Sequence, residues 1–412
     1  MNLLYYLLIK LYEFGIRLAS LSGNSKAKLW ITGRKSVLDM MKNTLVPGEK
    51  RIWVHASSLG EFEQGRPVIE LIKSNYPEYK ILLTFFSPSG YEIRKNYKYA
   101  DYIFYLPMDG PINSKRFTEL AKPEKVIFIK YEYWHYYLSA LHNRNIPTYL
   151  CSSIFRKDQL FFKWYGGWYR NILSYFKLLF VQNELSKCLL ADIGFTNVKV
   201  TGDTRFDRVQ AITSQSQKHE EVKFFTGDKK CIVIGSSWEP DEDLLAKYIN
   251  ESILSVKYII APHEINSSHV ERIEKQIIKK TIRYSNWIKK QTEDYDVLII
   301  DNIGMLSSLY QYGNVAYIGG GFGKGIHNIL EAAVWGSPVL FGPNYHKFQE
   351  ALELIELGGA FVINDYSRLK TILDSLFTDT LMLNESGKIA SDYISRNTGA
   401  TEKIVSVIMN DV

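Results

Sequence analysis

From Arg51 onward, apolar runs of six or seven residues alternate with amphipathic stretches, and turns containing Gly, Pro, Ser or Asp separate them. RIWVHA (51–56), KILLTFF (80–86), KVIFIK (125–130), TYLCSS (148–153) and KLLFVQ (177–182) read as buried strands, with helices between them. A second series starts at CIVIGS (231–236). It continues through KYIIAP (257–262), YDVLIID (295–301), NVAYIGG (314–320) and SPVLFG (337–342). Unbroken apolar runs alternating with helical patterns predict parallel sheets covered by helices. The stretch TSQSQKHEEVKFFTGDKK (213–230) is polar, lacks periodicity and is expected to link the two series. The predicted fold is α/β, with two doubly wound domains over 47–212 and 231–390, a segment 1–46 before them and a helix over 391–412 after them. Ligands of such sheets bind at the carboxyl ends of the strands. With two domains, the cleft between them is where two substrates are expected to meet.

The first 46 residues follow a different pattern. Their longest apolar run, Leu3 to Ile9, has seven residues, whereas a membrane-spanning helix needs about 20. Lys10, Glu13 and Arg17 recur at helical spacing on one stripe, and Leu4, Leu7, Leu8, Leu11, Phe14 and Leu18 lie on other faces. A secretory signal lacks support, because no charged n-region precedes the apolar run. Seven Lys and Arg (Lys10, Arg17, Lys26, Lys28, Arg34, Lys35 and Lys42) face only Glu13 and Asp39, a local charge of +5. An apolar helix face followed by a basic cluster suits an anionic membrane surface. The alternative is a core helix of the first domain.

Composition narrows the class further. The 412 residues are 46% hydrophobic and 23% charged, which is globular usage of about two-domain length. Fifty Lys and Arg against 44 Asp and Glu give +6, too mild and too dispersed for a nucleic-acid binder. Cys151, Cys188 and Cys231 are far apart and form no CxxC pair, so neither a disulfide framework nor a structural zinc site is expected. The histidines lack HExxH spacing and no GxSxG elbow occurs.

Several segments carry candidate chemistry. Gly319–Gly325 (GGGFGKG) satisfies neither GxGxxG nor GxxxxGK[ST], which leaves a flexible turn whose backbone N–H groups, with the start of a helix near His327, face an anion. Asn328 and Glu331 open that helix, either as a capping pair or with Glu331 accepting from ribose hydroxyls. Glu61 follows the first strand and a glycine turn. It is either a carboxylate favoured by the helix N-terminus or a general base at the sheet edge. Glu132 follows the strand 125–130, and its neighbours Tyr131, Tyr133 and Trp134 are expected to desolvate it. The aromatic stretch 161–170 reads as core or as an exposed surface for lipid or sugar.

Taken together, HASSLGE, TFFSPSG, YEYW, TGDTRFD, APHE, DNIGML and GGGFGKGIHNILEAAVWGSPVLFGP resemble the 3-deoxy-D-manno-octulosonic acid (Kdo) transferases of lipopolysaccharide synthesis, in order from about residue 30 to 350. The resemblance implies a GT-B fold with an interdomain cleft, whose last helix returns to the first domain. It implies inverting transfer of Kdo from CMP-Kdo, a donor substrate rather than a cofactor, to a lipid A precursor. No metal or other cofactor is implied. The place would be the cytoplasmic face of the inner membrane, with peripheral or monotopic attachment. Glu61 matches the family's general base. Glu132 matches the second acid of ETELW, and Arg205 takes the position of the lysine in GSLKFD; these two are assigned to transition-state stabilisation. Pro262 and His263, then Ile303, Gly304 and Met305, then Asn328, Ile329, Leu330 and Glu331 match the CMP-binding segments, which makes Glu331 the ribose ligand. Three departures stand out: Arg205 for lysine, YEYWHYY without the first acid and the Pro-Asn of ETELWPN, and APHE for a Pro-Arg-His run. The alternative is another GT-B enzyme using a UDP-sugar, such as a lipid-linked glycosyltransferase or an epimerase.

Overall fold

In the computed structural model, which describes residues 1–290 and 294–411 apart from the side chains of 215, 289 and 290, the chain forms two units. One comprises Met1–Arg208 with Thr398–Val412, the other Val209–Asn397. The sheet of the first unit contains β1 (Arg51–Ala56), β2 (Lys80–Phe85), β3 (Tyr102–Tyr105), β4 (Lys125–Ile129), β5 (Thr148–Ser153), β6 (Leu178–Val181) and β7 (Val198–Val200). All pairings are parallel, in the order β3-β2-β1-β4-β5-β6-β7. The order reverses between β1 and β4, which makes their carboxyl ends the switch point of a doubly wound sheet.

Residues of β1 alternate between two cores because successive side chains of a strand point to opposite faces. Ile52, Val54 and Ala56 join one apolar cluster and Trp53 the other. Both faces of the sheet are therefore buried, which is why the central strands read as unbroken apolar runs.

The sheet of the second unit contains β8 (Lys230–Ser237), β9 (Val256–Pro262), β10 (Thr281–Arg283), β11 (Val297–Ile299), β12 (Val315–Ile318), β13 (Val339–Phe341) and β14 (Ala360–Val362). Its order is β10-β11-β9-β8-β12-β13-β14, again parallel, with the reversal between β8 and β12. The two doubly wound α/β sheets expected from periodicity are both present.

Three helices precede the first sheet: α1 (Asn2–Leu21), α2 (Ser25–Arg34) and α3 (Val37–Thr44). Trp30 of α2 and Val37 and Met41 of α3 are buried, and the latter two belong to the sheet's core. α1 buries no residue. Its inner side is tied down through Tyr5, whose hydroxyl donates to Asp109 Oδ2 at 2.7 Å, and through Asn2, whose Oδ1 accepts from Trp168 Nε1 at 2.8 Å. Asp109 also accepts from the backbone N–H groups of Tyr136 and Tyr137 at the start of the helix His135–His142. Burial pushes its carboxyl up to about 6 against those hydrogen bonds. The outer side of α1 shows Leu3, Leu4, Leu7, Leu8, Leu11, Phe14 and Leu18 to solvent, all more than half exposed. Among the described residues no helix is long and apolar enough to cross a membrane.

The structure redraws the boundaries. The division falls at Arg208/Val209, and the expected linker 213–230 contains a helix, Glu220–Thr226, whose Val222 and Phe225 are buried. The expected limit at 390 cuts the helix Thr380–Arg396, so 391–412 is not one helix. Its last part, Ala400–Asn410, forms a separate helix of the first unit, where Ile404, Val405 and Ile408 pack under the sheet.

Candidate active site

The carboxyl edge of the first sheet gathers charged groups from distant parts of the sequence. β1 delivers His55, which is fully buried, and runs through Ser57 and Ser58 into the helix α4 (Leu59–Asn75). Glu61 lies in the first turn of α4, half-buried, and accepts a hydrogen bond from Ser58 Oγ. The dipole reading and the base reading of Glu61 thus share one geometry: a carboxylate held at a helix N-terminus on the ligand-binding edge.

Glu132 lies just beyond β4 and is buried. Its Oε2 meets His55 Nε2 at 3.0 Å and accepts from Trp134 Nε1 at 2.5 Å. The other ring nitrogen of His55 lies 2.8 Å from Thr84 Oγ1, which also accepts from Trp53 Nε1 at 2.8 Å. The aromatic neighbours of Glu132 therefore act differently from the simple desolvating shell expected. Trp134 donates to the carboxyl, Tyr133 stacks edge-on with Phe161 in the core, and Tyr131 faces Arg156, its hydroxyl 3.4 Å from a guanidinium nitrogen. The stretch 161–170 likewise divides: Phe161 is core, while Trp164 is 91% exposed.

Arg205 is clamped to Asp203. Its Nε and a terminal nitrogen reach Oδ2 at 2.8 and 2.7 Å, and its backbone N–H donates to Oδ1 at 2.9 Å. Lys130, the residue after β4, is half-buried beside them. Burial and the charges of Arg205 and Arg156 lower its pKa, while Asp203 and Glu61 oppose that effect. Sequence reasoning singled out Glu61, Glu132 and Arg205 but assigned nothing to His55, Lys130, Asp203 or Arg156. His55 stood inside the HASSLGE segment, the one signal that pointed to it.

In the second unit the corresponding edge is aromatic. Pro262 ends β9 and is buried, whereas His263 is exposed and stacks between Trp238 and His327, ring centroids 4.4 and 4.6 Å apart. Burial, and secondarily His263, lowers the pKa of His327, in keeping with its Nε2 accepting from Trp238 Nε1 at 3.1 Å.

The glycine turn is less open to an anion than expected. The amides of Gly319, Gly320, Gly323, Gly325 and His327 all donate within the protein, that of Gly320 to Asp241 at 2.9 Å. Its glycines serve close packing. A Cβ on Gly319 would fall 2.2 Å from the Ser236 carbonyl, and one on Gly321 would fall 2.5 Å from the Gly342 nitrogen.

The helix expected near His327 starts only at Leu330 and has four residues. Asn328 Oδ1 accepts from the Leu330 N–H at 3.2 Å and its Nδ2 donates to Glu331 Oε1 at 3.0 Å, but the N-cap is Ile329 and has no side-chain cap hydrogen bond, so the expected capping pair is not formed as such. Ile329 and Leu330 point into the core, which leaves Glu331, half-buried near the Tyr310 hydroxyl, as the polar group of that segment. Ile303 is 87% exposed and Gly304 adopts φ +100°, in the loop after β11. Met305 caps the short helix Leu306–Leu309, whose Ser307 carbonyl accepts from Trp335 Nε1 at 3.1 Å. The helix after 303–305 is thereby tied to Trp335, a few residues beyond 328–331, and His263 stacks on His327 immediately before 328–331. Among the described residues no group of three or more His, Cys, Asp and Glu side chains converges as a metal site.

Comparison with known proteins agrees with this build. The UDP-GlcNAc 2-epimerase of Neisseria meningitidis, solved with UDP-GlcNAc, matches with a TM-score of 0.61 at 17% identity, covering 88% of this chain and 100% of that one. MurG of Acinetobacter baumannii matches with a TM-score of 0.53 at 13% identity, covering 87% and 99%. At those identities the likeness is one of fold. Residues 28–208 match the family model of 3-deoxy-D-manno-octulosonic-acid transferase (kdotransferase). The chain is 29% identical over 345 residues to the 3-deoxy-D-manno-octulosonic acid transferase of Aquifex aeolicus, across 82% of this chain and 89% of the relative. It is 25% identical over 385 residues to that of Haemophilus influenzae, across 89% and 88%. With two Rossmann-like units and these relatives, the chain is a glycosyltransferase of GT-B architecture. Its similarity to the Kdo transferases runs over most of its length, and its N-terminal region matches their family model.

Proposed function

We propose that the chain transfers Kdo from CMP-Kdo to a lipid A precursor of the lipid IVA type, with inversion, without a metal or other cofactor, at the cytoplasmic face of the inner membrane. Glu61 takes the proton of the acceptor's 6′-hydroxyl as that oxygen bonds to C2 of Kdo and the bond from C2 to the CMP phosphate breaks. Arg205 offsets negative charge on the departing phosphate or the sugar carboxylate, and Glu132 stabilises the transition state from its buried position. In the second unit, Glu331 accepts from the ribose hydroxyls, and Pro262, His263, Ile303–Met305 and Asn328–Leu330 complete the nucleotide site. The outer leucines of α1, with the basic residues that follow, rest on the membrane surface.

The observation that carries this reading is the gathering of Glu61, Glu132 and Arg205 at one sheet edge, in a chain whose residues 28–208 match the Kdo transferase family. A ligand that binds only the folded state raises the melting temperature. CMP is therefore expected to stabilise the protein where UDP does not, and Glu331→Ala to abolish that stabilisation. Glu61→Gln should retain it while transfer falls by about 10²-fold or more. Stabilisation by UDP alone would reassign the chain to a UDP-sugar enzyme, and substantial transfer by the Gln variant would remove Glu61 as the base.

A further inference from the structure

Lys130 follows directly on β4 with φ +70°, a left-handed conformation that is strained for a residue with a Cβ and is seldom kept without a use. Its ammonium meets no carboxylate and no hydrogen-bond acceptor among the described residues; Nζ lies 5.3 Å from the centroid of the Tyr131 ring. The hydroxyl of the same tyrosine lies 3.4 Å from Arg156, which forms no ion pair among the described residues. Both nearby carboxylates are engaged elsewhere: Asp203 holds Arg205, and Glu61 accepts from Ser58. Lys130 and Arg156 thus stand without a paired carboxylate among the described residues, and for Lys130, which is partly buried, an unpaired charge is costly.

We propose that Lys130, with Arg156 and Arg205 beside it, seats an oxyanion carried by one of the reactants, either a phosphate or a carboxylate. The left-handed turn sets the lysine stem at the edge where the base Glu61 lies. Tyr131, bracketed by Lys130 and Arg156, lies between the two cations. The seat fixes an anionic group of acceptor or donor while the hydroxyl is deprotonated. The proposal rests on the transferase reading only for which reactant supplies the oxyanion.

Its first test needs no turnover. Millimolar inorganic phosphate, compared with chloride at equal ionic strength, is expected to raise the melting temperature of the full chain. Lys130→Met should require about tenfold more phosphate for the same rise, and Lys130→Arg should restore it, in line with a charge-assisted hydrogen bond. An equal response of wild type and Lys130→Met overturns the seat, whatever the reaction proves to be. Phosphate binding that depends on Lys130 in a chain that transfers no Kdo leaves the seat standing and removes the transferase reading. With turnover, a Lys130→Met rise confined to the acceptor KM assigns the seat to an acceptor phosphate, and one confined to the donor KM assigns it to the donor. A fall in kcat alone, with both KM values unchanged, contradicts it.

Discussion

His55 and Glu132 stand 77 positions apart in the chain and 3.0 Å apart in space, both buried. A buried carboxyl depends on each of its partners, because losing one exposes it to the desolvation penalty that the pair otherwise offsets. His55→Phe is therefore expected to lower the stability of the first unit by about 3 kcal/mol, with His55→Asn, which keeps a polar partner, costing less. The urea midpoint of the first unit's transition measures it, and an unchanged midpoint for His55→Phe would mean that Glu132 does not rely on the imidazole. This pairing was invisible in the sequence for a plain reason: neither residue type nor spacing encodes which side chain crosses from β1 to the end of β4. What was legible were Glu61 and Glu132 as acids following strands. Glu331 kept two readings, and in the structure Asn328 donates to its carboxylate rather than the pair capping the helix, whose N-cap is Ile329.

At the level of elements, the strands missed by periodicity are β3, β7, β10 and β14, the outermost strands of the two sheets. They have three or four residues and are only partly buried, as in β7, where one of three positions is buried. A strand paired on one side needs no continuous apolar run, so the signal that marks central strands is absent. The helix Glu220–Thr226 escaped for a related reason, since seven residues give too short a window for a helical period. The opposite holds for α1, whose pattern was plain and whose outer face the structure leaves uncovered. If that face rests on lipid, Leu7→Glu with Leu11→Glu should weaken flotation with anionic vesicles by about a hundredfold, at two side chains' worth of apolar transfer. Both positions are more than half exposed, so the melting temperature should hold. Unchanged flotation would place the membrane contact elsewhere.

Across the whole molecule, one chain builds two parallel sheets in succession and then returns to the first. Asp207 accepts from the N–H groups of Gly399 and Thr401, and Lys125 donates to the Ile408 carbonyl at 2.8 Å, so the last helix is fastened to the first unit at both ends. Composition and periodicity were enough for the doubly wound class, because apolar runs in central strands follow directly from burial on both faces. They could not locate the division at Arg208/Val209, which falls inside the helix Thr204–Gln215 where no change of composition marks it. The account's central claim is the reaction itself, and mass spectrometry of the lipid after incubation with CMP-Kdo and a tetra-acylated lipid A precursor tests it most directly. CMP release alone would not serve, since hydrolysis of the donor also yields it. The account predicts a lipid heavier by one or more Kdo residues, and no such product with Glu61→Gln. An unmodified lipid, under conditions where a known Kdo transferase is active, would contradict it.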